Sequence, residues 1–123
     1  MKTITIALVT LSLTLICGGR ALAQSGNDLY QQALVKERVE ADVQGAIELY
    51  QHIVSEFAED RPLAAKALVQ IGLCYEKLGR EEAANAYERV IAEYADQTES
   101  VAQAQGLLAN LRGAAQAGAE ESR

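Results

Sequence analysis

The sequence predicts an all-α chain of antiparallel helical hairpins, and three observations carry that prediction. Apolar residues recur at spacings of three and four almost without a break from Asp28 to Arg112, the period of one face of an α-helix. No stretch alternates polar and apolar residues over the length of a strand. The chain also repeats itself: Ala46, Leu49, Tyr50, Ile53, Val54 and Phe57 return thirty-seven positions later as Ala83, Ala86, Tyr87, Val90, Ile91 and Tyr94. Both sets follow a helical face, and self-similarity at a period between about 20 and 50 residues marks stacked units that share one continuous core.

The first element stands apart from the fold. Met1-Lys2 gives a basic start, Ile4 to Ile16 is an apolar run broken only by Thr and Ser, and Ala21-Leu22-Ala23 closes it. That order describes a secretory signal peptide over residues 1–23, with cleavage expected between Ala23 and Gln24. The alternative is a membrane anchor, but a spanning helix needs about 20 apolar residues and this run stops well short of that at Cys17-Gly18-Gly19-Arg20. Cys17 invites comparison with a lipidated cysteine, yet such processing favours a small residue before the Cys, and Ile16 is bulky. The expected product is exported, periplasmic or secreted, without a membrane span.

Five helices are expected in the remainder. The first covers Asp28 to Ala41 and the second Val43 to Phe57. The third runs from Arg61 to Leu78: Asp60 can accept from its first amides, Pro62 is tolerated in the first turn, and Gly79 permits the left-handed geometry that ends a helix. The fourth covers Arg80 to Tyr94, with Glu81 and Glu82 at the positive end of its dipole. The fifth covers Thr98 to Arg112, with Asp96 and Glu99 spaced as a capping box. Turns this short make successive helices antiparallel neighbours. Residues 24–112 thus form one helical domain, and residues 113–123, lacking a large apolar group to bury, read as a flexible tail.

Composition narrows the function. The chain carries 11 basic and 17 acidic residues; removing Lys2 and Arg20 with the signal leaves nine against seventeen, a net charge near −8. No basic stripe exists for a phosphate backbone, which argues against a nucleic-acid partner. The mature part keeps the single thiol Cys74, so no disulfide can form within it. Cys74 lies inside the apolar pattern and reads as a buried structural thiol. His52, the one histidine, falls on the polar side of the second helix with no nucleophile arrangement around it. No metal ligands converge, and neither an enzyme nor a cofactor is expected.

The second unit carries a resemblance. Ile71-Gly72-x-x-Tyr75-x-x-x-Gly79, then Ala83, Tyr87 and Val90, resembles the tetratricopeptide repeat, with Gly72 and Ala83 small where two helices cross and Tyr75 and Tyr87 filling the gaps beside them. The first unit keeps Ala46, Tyr50 and Ile53 but has Val35 and Arg38 where the Gly and Tyr would fall. Val101, Ala104, Leu108 and Leu111 match Ala64, Ala67, Ile71 and Cys74 at the same offset, as in a terminal half-repeat. The resemblance implies a short right-handed solenoid of about two and a half repeats. Two departures stand out: Ala58 and Ala95 replace the family's proline, and each repeat is longer by three residues. The lengthened first helix is similar to modules of exported bacterial envelope proteins, such as the coordinator associated with the Tol-Pal system and outer-membrane assembly lipoproteins.

At 100° per residue, Leu68, Ile71, Tyr75 and Leu78 point one way from the third helix and Lys66, Val69, Leu73, Glu76 and Lys77 roughly the other. In the family the second set lines the concave groove that holds peptides, so the resemblance implies Lys66, Val69, Leu73, Glu76 and Lys77 as partner contacts; on the first helix the corresponding positions lie near Gln32, Lys36 and Val39. The competing reading packs Val69 and Leu73 against the first or the fifth helix. The function implied is an exported protein-protein interaction adaptor holding a protein segment; the alternative is a self-associating, homo-oligomeric spacer.

Overall fold

The computed structural model describes residues 24–122, and the expected signal peptide lies outside them. Five helices follow in order: α1 (Gly26–Arg38), α2 (Val43–Glu56), α3 (Arg61–Lys77), α4 (Glu82–Glu93) and α5 (Thr98–Glu121). Each packs on the next, and α3 also touches α1 on one side and α5 on the other. Among the described residues α2 and α4 do not meet. The result is two layers, with α1, α3 and α5 in one and α2 and α4 in the other, an all-α stack of antiparallel helical hairpins.

Local chemistry sets the starts of the first three helices. The Ser25 hydroxyl accepts from the Asp28 amide while Asp28 accepts from the Ser25 amide, both at 3.1 Å, a reciprocal box that opens α1. Asp42 accepts from the Gly45 amide at 2.9 Å and Asp60 from the Leu63 amide at 3.2 Å, opening α2 and α3. Gly79, at φ 65°, ends α3 as its position foretold. The Arg80 amide still bonds back to the Tyr75 carbonyl at 2.9 Å, so α4 begins at Glu82 and not at Arg80. The first helix stops at Arg38, three residues before the expected Ala41, because Ala41 itself turns the chain at φ 55°, a geometry that costs an L-residue about 1 to 2 kcal/mol.

Two expectations fail at α5. Gln97 occupies the capping position without a side-chain bond, and the expected Asp96–Glu99 box does not form. Asp96 is occupied elsewhere: the Arg61 Nε donates to both its carboxylate oxygens at 3.0 and 3.2 Å, and Arg61 Nη2 donates to the Glu93 carbonyl at 2.8 Å, tying the start of α3 to the turn before α5. At its other end α5 continues to Glu121, past the expected stop at Arg112. The sequence lacked a buried face there, but Ala114, Ala115, Ala117 and Ala119 have the strongest intrinsic helix preference, which needs no core.

The Arg61 guanidinium, followed by the Gln97 amide, holds the Asp96 carboxyl well below the usual carboxylate range. A depressed folded-state pKa contributes stability above the ordinary Asp value and loses it as pH falls through the folded value. Asp96→Asn is therefore expected to melt below the wild type at neutral pH, with the gap closing as pH drops below about 4. A gap that persists unchanged into strong acid counts against this linkage.

The core runs without interruption through both units. Tyr50 and Tyr87 are fully buried, and each directs its hydroxyl to a carboxylate on the preceding helix, in the layer of α1, α3 and α5: Tyr50 donates to Glu37 at 3.1 Å, Tyr87 to Glu76. Burial raises both phenol pKa values, and the facing carboxylates add to it, so both stay protonated donors.

Candidate partner-binding face

Four of the five residues expected to face a partner are engaged by the fold. Val69 is 1% exposed and belongs to the core, which corrects its assignment as an open apolar contact. The helical wheel grouped Leu78 with the buried Leu68 and Ile71, yet Leu78 is exposed. Nor could the wheel show that α3 is the central helix, covered by α1 and α2 on one side and by α4 and α5 on the other. Leu73 is half-buried against the same core. Glu76 is half-buried and accepts from Tyr87.

Lys77 is half-exposed, but its ammonium pairs with Glu37, a side chain only 4% exposed. Glu37 is the residue that sequence reasoning missed. It binds α1 to α3 through Lys77 and to α2 through Tyr50, and its signal was present: an acid at the i+8 position of the buried Leu29, Ala33 face. A buried carboxylate requires compensation of this kind, since an isolated one would cost several kcal/mol. Burial, and then Glu37 beside it, push the Cys74 thiol up to about 12, so it stays protonated, buried and unreactive.

Lys66 is the exception. It is exposed, and among the described residues it makes no ion pair. It lines a polar recess of about 260 Å³ between the start of α3 and the first turn of α5, with Pro62, Asp96, Gln97, Thr98, Glu99 and Ser100. On α1, the positions near Gln32, Lys36 and Val39 divide likewise. Lys36 is held by Glu40 at 3.3 Å and Asp42 at 3.2 Å, whereas Val39 is 77% exposed. Gln32 and Lys36 line a recess of about 290 Å³ with Val35 as its apolar wall.

His52 is exposed, beside the exposed Gln51 on α2. Among the described residues no three His, Cys, Asp or Glu side chains come together in a metal-binding arrangement. No helix of the described residues is long and apolar enough to cross a membrane.

No curated protein and no solved structure shows a match to the chain. A family model described as tetratricopeptide repeat matches residues 66–96, which span the hairpin of α3 and α4 from Lys66 to the turn before α5. The α3–α4 hairpin therefore carries the signature of a tetratricopeptide repeat, a family of protein-protein interaction modules.

Proposed function

We propose that the protein is an exported adaptor that holds a segment of another protein against the layer formed by α1, α3 and α5, with Lys66 as its principal charged contact. The observation that carries this reading is the position of Lys66: an exposed cation without an ion-pair partner among the described residues, at the edge of a recess, on the hairpin that matches the tetratricopeptide repeat. Arg61, at the start of the same helix, is committed to Asp96. The basic start, apolar run and Ala-x-Ala ending of residues 1–23 support export, and the lengthened first helix of the repeat supports an envelope setting.

Selection from a displayed library of short random peptides tests the binding part. A consensus peptide is expected, and Lys66→Glu should weaken it at least about tenfold, the loss of roughly 1.4 kcal/mol, with helical content unchanged. A peptide whose affinity ignores Lys66→Glu removes the face from consideration. For export, the protein recovered from the envelope fraction should begin at Gln24.

A further inference from the structure

The first turn of α5 holds a buried polar group with nothing to bond. Ser100, the third residue of that helix, is 6% exposed. The other serines of the described residues, Ser25, Ser55 and Ser122, each use the hydroxyl in a hydrogen bond, whereas that of Ser100 has no partner among the described residues. Yet no fully enclosed side-chain oxygen of the described residues lacks a partner. The Ser100 hydroxyl therefore keeps an opening, and the recess beside Lys66, which Ser100 lines, is that opening. A polar group so deeply buried and left unpaired requires an explanation.

The same recess gathers further donors. The amides of Thr98, Glu99 and Ser100 precede the first bond of α5, from the Val101 amide to the Gln97 carbonyl at 2.9 Å. No acceptor among the described residues meets them, because Gln97 makes no side-chain cap and turns its amide instead to Asp96 at 2.8 Å. These amides carry the positive end of the helix dipole. Lys66 adds a full charge from α3, with no ion pair among the described residues. Of the two acids that line the recess, Asp96 is already held by Arg61 at 3.0 and 3.2 Å, and Glu99 is exposed.

We infer that this recess binds a carboxylate of the held segment, an Asp or Glu side chain or a chain terminus, with Lys66, the Ser100 hydroxyl and the free amides of α5 as its donors. An ammonium and backbone amides can only donate, so their complement is an acceptor, and a charged one answers Lys66 and the helix dipole together. The chain is acidic overall, so directed donors and not the net field must hold the anion, against the opposition of Glu99. The inference rests on the adaptor reading for the source of the carboxylate, not for the site.

Titration of the purified protein with sodium acetate, read by amide NMR shifts against sodium chloride at matched ionic strength, tests it. The Thr98, Glu99 and Ser100 amides should shift and saturate with acetate alone. Lys66→Met should weaken the binding about threefold, the worth of an exposed charge, and Ser100→Ala about fivefold, that of one hydrogen bond. Ser100→Ala should not lower the melting temperature, because the hydroxyl gives the fold no bond to lose; a lower one makes the hydroxyl structural and overturns its role. Glu99→Gln should tighten the binding. A capped peptide with a single Glu should move the same amides, and its Gln counterpart should not. Shifts no larger than those with chloride overturn the proposal, as does binding indifferent to both Lys66→Met and Ser100→Ala, or a Glu peptide that leaves these amides unmoved. A library-selected peptide that binds with these amides unmoved would sink this site and leave the adaptor reading standing. A library that yields no binder, with the acetate and Glu-peptide shifts intact, would sink the adaptor reading and leave the site.

Discussion

Replacing Tyr87 with alanine is expected to destabilise the protein by about 3 to 5 kcal/mol, the cost of truncating a fully buried aromatic. The ring lies where α4 crosses α3, against the bare backbone of Gly72. Its hydroxyl also donates to Glu76. Tyr87→Phe separates the two contributions: it keeps the ring and removes only the hydroxyl, and it should cost about 1 kcal/mol because the half-exposed Glu76 can turn to water. Total stabilities of domains this size lie at about 5 to 15 kcal/mol, so Tyr87→Ala should shift the urea midpoint far to lower concentration. A near-neutral result would mean that the α3–α4 crossing is packed in another register.

The architecture was legible in the sequence because repetition and apolar period are properties of single helices and of hairpins. Asp60, Pro62 and Gly79 mark the ends of α3 through chemistry confined to a few residues, and they act as expected. The misreadings share one cause, a side chain whose partner is distant in sequence. Asp96 lost its capping role to Arg61, thirty-five residues away. Val69 is buried because α3 has neighbours on both sides, which no wheel of α3 alone can show. Glu37 gained its role from Tyr50 and from Lys77, forty residues on. The candidate face was legible only in part: the wheel grouped Lys66, Val69, Leu73, Glu76 and Lys77, but it could not show that Val69 is buried, that Lys77 is committed to Glu37, or that Lys66 has no ion-pair partner among the described residues.

Gly72→Ala sets two physical effects against each other, and their magnitudes decide the sign. Alanine in place of glycine in a helix interior normally adds about 0.5 to 1 kcal/mol of stability. Here the new Cβ would stand 2.3 Å from Cε1 of Tyr87 and 2.8 Å from Cδ1 and Cζ, distances that no pair of carbon atoms tolerates. The ring is completely buried and cannot swing aside, so α3 and α4 must separate along the crossing. Overpacking of this kind costs about 1 to 3 kcal/mol, and occasionally more, which exceeds the helix gain. In a Tyr87→Ala background the obstruction is gone, and the same substitution should become stabilising by about 0.5 to 1 kcal/mol, the bare propensity term. The effect of Gly72→Ala thus reverses sign with the residue at position 87, and the double-mutant cycle reads that difference as one coupling energy. If Gly72→Ala instead stabilised the wild-type protein, the helices would not cross where Gly72 meets Tyr87, and the small residue would be there for another reason.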